Sequence, residues 1–470
     1  MTKAPPTMTR RRFLRSLPVL GGAGTAALMG VAGPAHAQAG SYRALVCVFL
    51  YGGNDGLNMV PPVDGDGYGR YAAVRQQVAL PRADIITLNA THGLHPELTA
   101  LEPIWNERRL ALLFNVGPLA RPLTRDDYLA WRETSDPGRV PESLFSHADQ
   151  QALWETATAA KVTRAGWGGR VMEALAGGSP VMSFAGSSRF GTGSLTQSLV
   201  LPGPGRTFDL NGYWDGSQPA ARRAALNSLV GATTYDLLHR TYAGMQAEAF
   251  AVGARLSTLL SQAPNGGRAD ASNPELSAAF GDLSGPMATD LARQLYQVAK
   301  MIKYRTTVGG DRHLFFVSLG GFDHHNNQLT QHAKLMRTLG DAMAAFYRAT
   351  QALGVADSVT TFTESDFGRT FKPNSSGGTD HAWGNQHLVI GGAVRGGASY
   401  GTYPSLVLGG PDEAGSKDWE FQGRWIPGLS VDQYAATLTN WFAPELNGRL
   451  TQILPNLGAF PIRDLGFMRT

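Results

Sequence analysis

The run Arg43–Leu50, RALVCVFL, is apolar almost without interruption. A strand that read apolar on one face and polar on the other would suit a half-solvated sheet; this one requires cover on both faces. Leu110–Asn115 (LALLFN) and His313–Leu319 (HLFFVSL) share the property, and Pro180–Phe184, Ser358–Thr363 and His387–Ile390 are shorter strand candidates. Helical patterns separate them, over 96–107, 219–263, 287–304, 329–354 and 431–442. Strands alternating with helices predict an α/β fold built on a mainly parallel, doubly wound sheet. Gly- and Pro-rich stretches around 185–216 and 262–275 bracket a region that reads as a helical insertion, about 217–305.

The N-terminus carries Arg10-Arg11, then Phe13-Leu14, a Gly/Ala-rich apolar run and the small-x-small site Ala35-His36-Ala37. This is the pattern of a twin-arginine (Tat) export signal, 1–37, with residues 38–470 as the mature domain. The expected localisation is periplasmic or secreted, with the Tat machinery as a partner and no stable membrane span after cleavage. Of the 41 Lys and Arg, five (Lys3, Arg10, Arg11, Arg12, Arg15) fall in this leader with no acid, leaving 36 bases against 37 acids. The mature chain is therefore near neutral, and no basic stripe points to nucleic acid. The single cysteine, Cys47, lies within an apolar run and reads as a buried small hydrophobe.

In parallel α/β sheets ligands bind beyond the carboxyl ends of strands, so the residues after each strand carry most of the functional information. The first strand runs into Asn54, Asp55 and Asn58; the fourth into Asp323, His324, His325 and Gln328; the fifth into Glu364, Asp366 and Arg369; and the turn before the sixth holds Asp380, His381 and Asn385. One Asp after a strand is ordinarily a turn cap. Four Asp- or His-bearing turns on one rim point instead to metal ligation. Asp323 and His325, two apart on an extended segment, face the same way, which leaves His324 facing elsewhere. Mixed imidazole and carboxylate donors suit zinc, with manganese or iron open, and two such ions ~4 Å apart would serve an in-line displacement.

The stretches VFLYGGNDGLN, LGGFDHHNNQ and TESDFGRTFKPNSSGGTDHAWGNQHLVIGGAV resemble a family of uncharacterised, twin-arginine-exported bacterial proteins assigned to the alkaline phosphatase and sulfatase superfamily. That resemblance implies an alkaline-phosphatase type of α/β fold and an exported metal-dependent hydrolase acting on small anionic phosphate or sulfate esters. It implies metal roles for Asp55, Asp323, His325, Asp366 and His381. Phe367 stands where the superfamily places a histidine, so Glu364, Asp380 or water replaces that ligand, or the site holds one ion rather than two. For the nucleophile, Ser146 precedes a helix expected near Ala148 and reads equally as an N-cap paired with Asp149; a metal-activated hydroxide is the other attacking group. His147 reads as ligand, proton shuttle or exposed neighbour, and Arg369 and Arg170 as candidates for holding an anionic ester. Asn58, Gln328, Asn374 and Asn385 read as ligand-orienting residues, Trp383 and Phe367 as walls and His95 as structural. Two other functions stay open: a non-catalytic envelope binding or assembly protein that keeps the fold, and a phosphotransferase acting on envelope glycans.

Overall fold

The computed structural model describes residues 42–135, 138–159, 164–176, 178–203, 270–281 and 288–469, with nine isolated residues between 224 and 260. The expected leader and most of the expected helical insertion lie outside the described residues.

Strand β1, Arg43–Leu50, shows why its sequence is continuously apolar. Ala44, Val46, Val48 and Leu50 belong to one hydrophobic core, and Leu45, Cys47 and Phe49 to a second on the opposite face. Each large apolar side chain so buried contributes about 1.5–3 kcal/mol. Eight further strands complete the sheet: β2 Leu110–Gly117, β3 Met182–Ser183, β4 Leu199–Val200, β5 Arg312–Leu319, β6 Val359–Ser365, β7 Asn385–Gly391, β8 Ala398–Tyr400 and β9 Leu429–Ser430. The spatial order is β8-β2-β7-β6-β1-β5-β3-β4, with β9 also on β2. All pairings are parallel except those of β7 with β2 and β6. The sheet is thus mostly parallel, as expected, with one reversed strand inside it.

The helices used below are α1 Gly56–Met59, α2 Gly65–Arg75, α3 Arg125–Thr134, α4 His147–Thr156, α5 Trp167–Ala174, α6 Asp290–Lys303, α7 Gln328–Ala352 and α8 Val431–Phe442. Helices α6 and α7 bury their apolar residues with the first core, and α4, α5 and α8 with the second, so the sheet is covered on both faces. Part of the region read as an insertion, α6, lies in this helix layer. The expected 96–107 helix is a 3₁₀ turn from Pro96 to Leu101 followed by a short α-helix, Glu102–Asn106. Among the described residues no helix is long and apolar enough to cross a membrane.

Strand register sets up the rim. Leu50 pairs with Leu319 on one side and Ser365 on the other, so β1, β5 and β6 end level. The chain leaving each strand enters the same edge, and the 366–384 segment returns to it before β7. Gly52, at φ +110°, permits the close approach: a Cβ there would lie 2.6 Å from the Asp323 nitrogen.

Candidate metal centre

Helix α4 starts at His147, and its four-residue spacing puts His147 and Gln151 on one face. Both reach Asp366 Oδ2, His147 Nδ1 at 2.7 Å and Gln151 Nε2 at 2.8 Å. Asp366 is fully buried at the end of β6, and its other oxygen accepts from the Gly52 nitrogen at 3.2 Å. Asp323 follows β5, and His325 turns its Nδ1 to Asp380 Oδ1 at 3.0 Å. His381 Nδ1 bonds the Phe145 carbonyl at 2.7 Å.

These three contacts determine the tautomers. A carboxylate or carbonyl oxygen only accepts, so each Nδ1 carries the proton and each neutral Nε2 presents a bare lone pair. All three Nε2 atoms face Asp323 Oδ1, His325 at 3.0 Å, His147 at 3.3 Å and His381 at 3.4 Å. His325 Nε2 and His381 Nε2 lie 3.1 Å apart. The buried His147 Nε2 makes no hydrogen bond. Lone pairs packed this closely repel unless a proton or a cation lies among them. One ligand atom from each of His147, Asp323 and His381 lies within 4.8 Å of the other two, and His325 adds a fourth donor. The His147/Asp323/His381 group could hold a metal ion; the donor set is of the kind zinc takes.

The electrostatics agree. The bond to Asp366 raises the His147 pKa, against burial, which lowers it. Burial pushes the Asp323 carboxyl up, but Arg369 and the neighbouring histidines outweigh it and hold the group at about 2. Burial lowers His381.

Other residues singled out in the sequence have different places. The Asp55 carboxylate accepts from the buried Arg75 guanidinium and from Gln328, and caps α1 through the Leu57 and Asn58 nitrogens at 3.2 Å. The structure does not bring it into the histidine group. Asp366 and Asp380 hold the outer nitrogens of imidazoles instead of joining the inner donors. Glu364 is fully buried, accepts from Trp167 Nε1 and stands apart from the histidine group. Phe367, in the place where a histidine was expected, stacks on His381 at 4.6 Å and lies 4.8 Å from His147, walling two of the three imidazoles.

Arg369 is buried, with its donors on the Gly52, Gly53, Phe322 and Thr379 carbonyls and on Asp323. That arrangement clamps four rim segments together and leaves it poorly placed to hold an ester. Arg170 bonds the Thr156, Ala165 and Ile453 carbonyls, a structural tie. Ser146 is the N-cap residue of α4 but its side chain makes no capping bond, so the expected Asp149 capping box is absent. Asn374 donates to the His325 carbonyl and to Asp380 Oδ1, as an orienting residue should. Asn58 bonds the Val78 carbonyl, Asn385 bonds the Asn54 and Phe367 carbonyls, and Trp383 bonds the Pro118 carbonyl. His95 caps the 96–101 turn through the Glu97 nitrogen. Sequence reasoning missed Arg75, Gln151 and Arg424, whose Nε donates to the His381 carbonyl at 3.0 Å. Of these only Gln151 left a signal, its i+4 spacing from His147.

The family described as Protein of unknown function (DUF1501) matches residues 42–410. No curated protein matches the chain.

Proposed function

The chain belongs to that family, and from this premise we propose that it is an exported, single-ion metal-dependent hydrolase of phosphate or sulfate esters, with the alkaline-phosphatase type of fold. One observation carries the reading: three imidazoles, each with its outer nitrogen bonded to an oxygen, turn their inner nitrogens onto one carboxylate. Imidazoles held in that way are the ordinary surroundings of a bound metal. His147, Asp323, His325 and His381 would hold the ion. A divalent cation there would supply Lewis acidity to the ester and to the attacking oxygen.

The rest of the chemistry belongs to the chain. Asp366 and Asp380 keep two imidazoles in the tautomer that leaves Nε2 free. The positive end of α4 lies at the cluster and favours negative charge developing there. Asp55 is held by Arg75 and Gln328, and Phe367 supplies no ligand, which is why the reading takes one ion instead of two. The attacking oxygen is the Ser146 hydroxyl, which is not spent on capping, or a water. The ester bond to phosphorus or sulfur breaks and the alcohol leaves with the proton the attacking oxygen gives up. Where Ser146 attacks, a water then hydrolyses the seryl ester to free the acid and restore the hydroxyl. The twin-arginine pattern and the resemblance to the phosphatase and sulfatase superfamily support export and ester hydrolysis.

The test is elemental analysis of the exported protein beside Ser146→Ala, followed by an ester screen. Stoichiometric zinc, manganese or iron with turnover supports the reading. Turnover surviving in Ser146→Ala assigns the attack to water. Metal without turnover on any phosphate or sulfate ester would move the weight to an envelope-binding role, and absence of metal would sink the mechanism.

A further inference from the structure

A cleft of about 220 Å³ is lined by two residues that bond His381 of the histidine cluster. Its sides are the rings of Tyr128 and Trp131 from α3, Phe145 and Trp419, with Arg132, Glu420 and Arg424 among them. Two of these residues are bonded to His381: the Phe145 carbonyl takes its Nδ1, and Arg424 Nε donates to its carbonyl. A ligand filling the cleft therefore lies beside the ion-binding residues.

Three features describe what fits. Trp419 is 71% exposed and lines the cleft with three other aromatic residues, so its ring is open to a ligand. Arg424 is fixed at Nε and stacked 5.0 Å over the Phe145 ring, while its two Nη groups make no hydrogen bond or ion pair among the described residues. A guanidinium held in place with two open donors suits an anionic oxygen, in contrast to the fully used Arg369. Finally, the paired Arg132 and Glu420 offer donors and acceptors between the aromatic faces. The cleft falls below the ~300 Å³ at which sites for larger ligands begin, leaving room for one ring.

We propose that this cleft binds a single sugar ring and that Arg424 holds the anionic ester it carries, so the substrate class is a monosaccharide phosphate or sulfate. The aromatic faces stack on the apolar face of the ring, and the charged pair serves its hydroxyls; a plain aryl ester would leave that pair without use. This substrate class rests on the hydrolase reading, but the cleft can be tested without turnover.

The experiment follows tryptophan fluorescence as glucose 6-phosphate, p-nitrophenyl phosphate and inorganic phosphate are titrated into zinc-loaded wild type, Trp419→Ala and Arg424→Gln, with the zinc content of each measured separately. Expected are a loss of about tenfold in glucose 6-phosphate affinity for Trp419→Ala with phosphate binding unchanged, and a loss of about tenfold for both ligands in Arg424→Gln. Zinc content stays equal in all three. Glucose 6-phosphate binding that ignores Trp419→Ala, or p-nitrophenyl phosphate binding more tightly and depending on Trp419, overturns the sugar assignment. Missing zinc defeats the metal reading alone, because Trp419-dependent sugar binding by the same protein still decides the cleft.

Discussion

His324 and His325 are joined by a peptide bond and end in opposite environments. The His325 side chain is 43% exposed in the outer group with His147 and His381, whereas His324 is 4% exposed and faces His332, whose ring also meets His95. In the outer group every Nδ1 has an oxygen partner and every Nε2 faces Asp323. In the inner group the ring partners are Asn54 for His332, the Glu97 nitrogen for His95 and the Gly321 backbone for His324, and among the described residues no carboxylate bonds any of the three rings. Burial pushes His95 and His324 down to about 4, and holds His332 well below its ordinary value. A cation held by imidazoles is ordinarily accompanied by an anion that neutralises its charge and by an oxygen on each far nitrogen, and of the two groups the outer one has both.

The largest effect should come from removing the anion: Asp323→Ala is expected to take metal from stoichiometric to background by elemental analysis, and retention of metal would dissolve the distinction between the groups. Asp55 belongs to the inner side, where it neutralises buried Arg75. Asp55→Ala should lower unfolding free energy in urea by about 3–5 kcal/mol, since it strands a buried charge, while the surviving folded protein keeps its metal. Next come the residues behind the ligands: Asp366→Asn and Asp380→Asn should each weaken metal affinity about 10- to 100-fold by competition with a chelator, the buried Asp366 giving the larger loss.

The smallest effect concerns the inner group and pH. The folded pKa of His332 is depressed below its unfolded value near 6.5, so its contribution is complete above pH 6.5 and is lost as pH falls, because only the unfolded chain takes up the proton. His332→Gln has no such loss. Its destabilisation relative to wild type should therefore shrink between pH 7.5 and pH 5, by about 2 kcal/mol in urea unfolding. A difference independent of pH would mean that His332 is not held neutral.

The strand ends were readable because burial on both faces leaves a plain apolar signature, and Asp323, His325, Asp380 and His381 follow directly from the rim rule. Residues 431–442 form the helix their spacing announced. Local pattern did not convey which carboxylates meet imidazoles. Asp55 and Asp323 both follow strands and both are paired to an arginine, Arg75 and Arg369; what separates them is that three imidazole nitrogens also face Asp323, which depends on where α4 and the 366–384 segment pack. Nor did it convey that β7 runs against its neighbours, since burial looks the same in either direction. The spacing over 96–107 predicts one helix, but the backbone leaves helical geometry at Leu98.

The Arg369 clamp has a kinetic consequence. It joins carbonyls at Gly52, Gly53, Phe322 and Thr379 to Asp323, the carboxylate that the imidazoles at positions 147, 325 and 381 face. Contacts so distant in sequence close last, after most of the loop entropy has been spent. An ion held by these donors would thus be captured late, after assembly of the sheet, and added metal should slow unfolding without accelerating folding.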